Sequence, residues 1–253
     1  MSRLSNLFYG TLDGLAADLA LGGTGPCLVV GSAPTAERPA GYDTSWRLVC
    51  MNGSPAVAAR LGLATPDVVL LRGGLFGDRV VDREAQEALR GQSAKTVLLR
   101  NMHGERGPNE KRLREIDYKF ERARPLSNSE RSRIIHEALG LITAVRLGRK
   151  DISAGLICVM LAAALSKAPI VVTGISLAVK GHYYSSSNLH RRHVRKDRLA
   201  LLTMVRRGVP LFTTDPVLAK EIGMPMWHDH QWNSHVNAVT VQTGVKAASG
   251  LIG

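Results

Sequence analysis

The sequence predicts an α/β protein: a Rossmann-like, mostly parallel sheet with helices on both faces, in a single domain over residues 1–253. Three observations carry this. Short β-branched runs (CLVV, WRLVCM, PDVVLL, TVLL, IVVT) alternate with longer runs of helical spacing. Several of the short runs end in a small polar cluster, as strands do where an open parallel sheet binds its ligand. A chain of 253 residues, 45% of them hydrophobic, is large enough to bury a core on both faces of such a sheet.

Leu4 to Leu21 reads as a short amphipathic helix rather than an export signal. Pro26 to Val30 is the first strand, and Gly31-Ser32-Ala33-Pro34-Thr35 is the loop at its carboxyl end. Gly31 permits a tight turn, while Ser32 offers a hydroxyl and an N–H. The loop is neither a G-x-G-x-x-G fingerprint nor a Walker loop. Trp46 to Met51 is the second strand and ends in Asn52-Gly53-Ser54-Pro55. Asn52 is a candidate ligand contact, and equally a turn residue of an Asn-Gly pair. A helix over Ala56 to Leu61, a strand over Pro66 to Leu71, a charged helix over Asp78 to Arg90 and a strand over Thr96 to Leu99 follow. Arg100, Asn101 and His103 come next as candidate contacts.

Residues 104–133 hold nine of the chain's arginines and lysines with no clean apolar period, which predicts an exposed, mobile segment: a lid, a membrane-facing surface or a merely solvated face. Glu130 to Leu147 recovers helical spacing. Ser153-Ala154-Gly155 opens an apolar helix that runs to Ser166. Ile170 to Thr173 is a strand closed by Gly174, and a loop leads to Gly181-His182-Tyr183-Tyr184. Within 188–208, Leu199, Leu202 and Val205 recur at helical spacing, with Gly208 as the stop. His193 and Asp197, four apart, share one face of that helix, and His190 lies just before it. Val209 to Phe212 is a last strand, and Thr213-Thr214-Asp215-Pro216 caps a helix over Val217 to Ile222. The tail, 240–253, is expected to be flexible.

The net charge is +12 and the isoelectric point about 10.1, which suits an acidic substrate, an anionic membrane surface or nucleic acid. Aromatic residues make up only 5%, and no zinc-finger, RRM or helix-turn-helix pattern occurs, so no nucleic-acid partner is expected. No apolar run reaches the length of a membrane span. Cys27, Cys50 and Cys158 lie far apart in apolar runs and read as buried small hydrophobes of a reducing compartment, which points to the cytoplasm. His228, Asp229, His230 and His235 have the spacing of no standard metal site, so no metal is expected.

Four segments, in order, resemble the sialyltransferases of glycosyltransferase family 29. CLVVGSAP (Cys27 to Pro34) is similar to the C-x-V-V-G-N-S-G opening of that family's large motif. CMNGSP (Cys50 to Pro55) is similar to R-M-N-x-A-P. Ser153-Ala154-Gly155, its helix and VVTGIS are similar to the small motif. His182-Tyr183-Tyr184 is similar to the His-Tyr-Tyr-Glu motif. Family 42, with a Gly-Asn-Gly-Pro-Ser loop, is a neighbouring resemblance. The departures are specific: Ser32 stands for Asn, Ser185 stands for Glu, and His193-x3-Asp197 stands for His-x4-Glu. The luminal enzymes' anchor and inter-motif disulfide are not evident, so the match is to a bacterial-type, unanchored form.

The resemblance implies a single-domain sialyltransferase-type variant of the glycosyltransferase A fold. It also implies inverting, metal-independent transfer of an acidic 2-keto sugar, sialic acid or Kdo, from its CMP conjugate to a glycan or glycolipid hydroxyl. It assigns His193 as general base, with His190 as the second candidate, Asp197 as its orienting carboxylate and His182 with Tyr183 and Tyr184 at the leaving phosphate. Gly31, Ser32, Ala33, Asn52, Ser153, Ala154, Gly155 and Gly174 would hold the nucleotide sugar. No cofactor beyond the CMP-sugar is expected. The chemistry is consistent with the residues: no Asp-x-Asp is present, and one leaving phosphate can be met by hydrogen-bond donors, an imidazole and a helix N-terminus. The charge adds the expectation of peripheral contact with an anionic inner membrane. Three alternatives remain: a basic module for nucleic acid or anionic glycan without catalysis, a transferase-like protein that has lost activity, and a pterin diphosphokinase-like enzyme. The last would need a carboxylate cluster after the strand ends, which the sequence lacks.

Overall fold

The structure, a computed structural model, describes residues 12–21, 25–100, 106–147, 152–185 and 193–228. The described residues form one sheet of seven parallel strands: β1 (Cys27–Val30), β2 (Arg47–Met51), β3 (Val68–Arg72), β4 (Ser93–Arg100), β5 (Lys119–Leu126), β6 (Ile170–Thr173) and β7 (Leu211–Thr213). Their order across the sheet is β5-β4-β3-β2-β1-β6-β7. The chain winds outward from β1 to β5, then crosses back to place β6 on the other side of β1. The fold is the α/β, Rossmann-like plan that the alternating runs predict.

Why the strands read as unbroken apolar runs is now plain. Both faces are covered, so successive side chains go to two cores. Val29, Val49, Leu70 and Val172 face one core, and Leu28, Leu48, Val69 and Val171 face the other. The first core is covered by α1 (Asp13–Leu19), α5 (Asn128–Leu139), α7 (Ala154–Leu165), α8 (Val194–Arg206) and α9 (Pro216–Ile222). The second is covered by α2 (Pro55–Arg60), α3 (Val80–Leu89) and α4 (Arg106–Glu115), and is closed by Tyr42, Trp46 and Trp227. Helix α7 is apolar on nearly every side because it is the central strut, packed against the strands beneath it and α5 above.

Two expectations change. The basic stretch 104–133 is not without regular structure: it carries α4, the edge strand β5 and the start of α5. Strand β5 escaped recognition because it lies at an edge. Lys119, Glu121, Arg122 and Pro125 are exposed, while Ala123 and Leu126 alone are buried, and Pro125 is tolerated where one side of the ladder is free. The second change is in the helix anticipated over Glu130 to Leu147. It divides at Gly140, whose φ of 75° ends α5 before α6 (Leu141–Leu147) begins. A Ser127–Glu130 capping box starts α5 two residues earlier than expected. The tail 240–253 lies outside the described residues. No helix among the described residues is long and apolar enough to cross a membrane.

Candidate active site

The winding reverses between β1 and β6, and the loops leaving those two strands must part there. They part from a close contact. A Cβ added to Gly31 would lie 2.1 Å from the Gly174 carbonyl oxygen, and one added to Gly174 would lie 2.7 Å from the Gly31 oxygen. Gly174 also has φ 64°. The two glycines let the loops touch, and the Ala33 N–H seals the contact on the Gly174 carbonyl at 2.8 Å. Above it opens a cleft of about 540 Å³.

Most of the cleft's walls come from a strand's carboxyl end or a helix's amino end, and the loop after β6 supplies the rest. Ser32 follows β1, and Asn52 follows β2 in a left-handed conformation, φ 46°. The Asn52 side-chain oxygen accepts from the Arg72 N–H at 3.1 Å, which turns its amide nitrogen to the cleft as a donor. Buried Ser54 locks this corner: its hydroxyl donates to the Val30 carbonyl at 2.7 Å and accepts from the Met51 N–H at 2.9 Å. Ser153 caps α7 by accepting the Leu156 N–H at 3.1 Å, and Ala154 and Gly155 of the first turn line the cleft. His193 is the N-cap residue of α8 and also lines it. Asp197, one turn on, accepts the Ser153 N–H at 3.2 Å and so ties the head of α8 to the head of α7.

The Gly181–Ser185 turn docks on the β1 loop. His182 Nδ1 lies 2.5 Å from Ser32 Oγ, and the Tyr183 N–H donates to the Ser32 carbonyl at 2.7 Å. Tyr184 stacks on His182, with centroids 5.2 Å apart and planes 2° from parallel. Its ring fills the space that a side chain on Gly53 would take, 2.7 Å from that Cβ position. Burial pushes the Tyr184 phenol up, against hydrogen bonds from Ser32 and the Gly53 backbone and the pull of Arg72. Ser185, where the sialyltransferase motif has a carboxylate, donates to Glu84 Oε2 at 2.5 Å. A carboxylate from α3 thus reaches the residue that replaces one.

Sequence reading missed the cleft's cations. Arg72 ends β3 and Arg79 precedes α3, and both line the cleft. Asp82, 1% exposed, holds the pair: it contacts Arg72 Nη2 and accepts from Arg79 Nε at 2.8 Å and Nη2 at 3.0 Å. Burial pulls the Arg72 pKa down, and Asp82 opposes this. Arg72 had a signal, since it sits at the carboxyl end of its strand as Ser32 and Asn52 follow theirs. Arg79, brought in by a loop, had none. Ser176 was also missed; its hydroxyl accepts from the Ala178 and Val179 N–H groups and holds the loop after β6.

Of the residues proposed from sequence, Gly31, Ser32, Asn52, Ser153, Ala154, Gly155, Gly174, His182, His193 and Asp197 line this one cleft. Ala33 is buried behind it. Tyr183 turns outward, 46% exposed, beneath the Arg60 guanidinium at 4.2 Å. Tyr184 stands behind His182 and shapes the wall without lining it. His190, Asn101, His103, Asp229, His230 and His235 lie outside the described residues. Past His193 the cleft continues into a second chamber of about 340 Å³, lined by Arg72, Gly73, Gly74, Arg100 and Ile152. Among the described residues no group of three or more His, Cys, Asp or Glu is placed to hold a metal ion. Cys27, Cys50 and Cys158 are free and buried.

No family model and no curated protein sequence matches the chain. Solved structures do. The sialyltransferase CstII from Campylobacter jejuni, in complex with the substrate analogue CMP-3FNeuAc, superposes with a TM-score of 0.51 at 11% identity, over 80% of this chain and 86% of that one. Two CstII variants in complex with CMP give the same TM-score and identity over 79% of this chain and 85–86% of theirs. The fold is sialyltransferase-like, as the four segments led us to expect.

Proposed function

We propose that the cleft binds a CMP-activated acidic sugar and transfers it, with inversion, to a hydroxyl of a glycan or glycolipid. One observation carries the reading. Ser32, Asn52, the head of α7, His182 and His193 were chosen from motifs scattered over more than half the chain, and they line a single cleft at the sheet's reversal point. The likeness in fold to CMP-bound sialyltransferases supports it.

In this reading the Asn52 amide and the first-turn N–H groups of α7 hold the nucleotide. His182, whose ring is fixed by Ser32 on one side and Tyr184 on the other, donates to the leaving phosphate. Arg72 and Arg79 meet its developing charge, so departure of CMP needs no divalent cation. His193 takes the acceptor's hydroxyl proton as that oxygen bonds to the anomeric carbon and the bond to phosphate breaks. Asp197 holds the helix end that presents His193. The reading admits sialic acid and Kdo alike as the donor sugar, since each offers a carboxylate to a cationic cleft. A cytoplasmic protein working at an anionic membrane surface would suit the +12 charge.

The test is release of CMP from CMP-sialic acid and CMP-Kdo, with and without a chelator. Turnover should survive chelation and fall at least ~100-fold in His193→Ala, with kcat falling more than the donor's KM rises. A protein that neither binds nor releases CMP would refute the reading and favour a non-catalytic basic module.

A further inference from the structure

The second chamber begins at His193, where an acceptor must stand. We propose that it is the acceptor subsite and selects an acceptor bearing a carboxylate or phosphate, held by Arg100 with Arg72 beside it. The proposal rests on the reading of His193 as the base.

Arg72 and Arg100 are register partners at the carboxyl ends of β3 and β4. Paired residues of neighbouring strands have backbones about 4.8 Å apart and side chains on one face, and both arginines line the second chamber. Asp82 supplies a carboxylate to Arg72. Among the described residues no carboxylate acts on Arg100: burial first, and then the charge of Arg131, disfavour its cationic form, and Cys158 opposes them. Its Nε is buried with no hydrogen-bond partner among the described residues. A guanidinium so placed carries an unrelieved desolvation cost, which a planar or tetrahedral oxyanion removes by accepting two N–H groups at once.

Position decides which substrate brings that anion. Arg72 lines both chambers, but Arg100 lines only the second. A group held by Arg100 lies beyond His193 from Ser32 and His182, so it belongs to the acceptor rather than to the CMP-sugar. The two chambers share Asn52, Ser153, Ala154 and His193, so donor and acceptor meet across the histidine.

The experiment compares methyl β-galactoside, its 6-phosphate and methyl β-galacturonide as acceptors, using wild-type protein, Arg100→Gln and Arg100→Lys. The wild type should favour one or both charged acceptors by roughly 10-fold or more in kcat/KM, expressed in KM, as charge-assisted hydrogen bonds allow. In Arg100→Gln that preference should collapse to about twofold, and Arg100→Lys, which keeps the charge, should retain part of it. The 6-phosphate and galacturonide arms tell phosphate from carboxylate. Equal use of neutral and charged acceptors by the wild type, or a uniform loss across all three in Arg100→Gln, overturns the proposal. Calorimetric titration of inorganic phosphate and pyruvate onto the protein separates the two readings. If no sugar is transferred but either anion binds and binding disappears in Arg100→Gln, the donor reading fails and the anion subsite stands. If neither binds, or if binding is unchanged in the variant, the subsite is refuted.

Discussion

Replacing Asp82 by Asn tests whether the cleft's two arginines are held for a purpose. The carboxylate is 1% exposed, whereas its partners Arg72 and Arg79 keep 27% and 65% of their side chains open to solvent. The Arg79 pair is therefore screened and contributes between zero and about 1 kcal/mol. The Arg72 pair is half-buried. Breaking a fully buried pair costs about 3–5 kcal/mol, so a loss of roughly 2 kcal/mol in total is reasonable. For a chain of this size, that lowers Tm by about 4–8 °C. The functional effect is separate. Without Asp82, Arg72 loses the contact that holds it at the end of β3, and CMP affinity should fall roughly tenfold, or about 1.4 kcal/mol. Differential scanning fluorimetry and calorimetric titration with CMP measure the two effects. A tighter CMP complex would refute the reasoning, because it would mean that Asp82 competes with the phosphate rather than presenting the arginines to it. An unchanged Tm with unchanged affinity would show that the ion pair does nothing.

Two further outcomes follow from the same geometry. Gly174→Ala places a side chain at φ 64° and a Cβ 2.7 Å from the Gly31 oxygen, so backbone strain alone should cost about 1–2 kcal/mol. Urea unfolding should show at least that loss, together with weaker CMP binding as the loops part; a neutral substitution would mean that the contact is slack. The second outcome concerns alkali. Cys27 and Cys50 are pushed up to about 12 from 9.0, chiefly by burial. Unfolded thiols ionise first, so their contribution is intact below about pH 9 and is lost as pH rises toward 12, by up to about 1.4 kcal/mol per pH unit each. The unfolding free energy of a Cys27→Ala, Cys50→Ala variant should fall less steeply between pH 9 and 10.5 than that of the wild type. Parallel slopes would contradict the burial of these thiols.

The parts of the fold legible in the sequence were those whose side chains all go inward. CLVV, IVVT and the helix after Ser153 have no polar face, so nothing about them depended on tertiary context. Strand β5 was illegible for the opposite reason: an edge strand needs only half a face, and KFERARPL spends the other half on charge. Much the same holds for the site. Ser32, Asn52 and Ser153 announce themselves because a turn or a helix end needs those residue types locally. Arg72 is marked only by its place at a strand end, and Arg79 by nothing, since neither is a turn or cap residue and the carboxylate that gathers both, Asp82, lies on the helix that follows them. Glu84 is the sharpest case. Ser185 stands where the resembled motif has a carboxylate, and it bonds a carboxylate from α3 that no pattern around the tyrosines marks.

The reversal between β1 and β6 also sets an order of assembly. Ser32 and His182 stand 150 positions apart, so at ribosomal speeds roughly 8–30 s separate their synthesis. Through that interval β1 to β5 can pair, while the apolar β1 is left as a bare edge awaiting β6. Until β6 arrives that edge can recruit any passing strand. The same crossing that makes the cleft thus makes the nascent chain sticky, and it leaves the cleft among the last features to form.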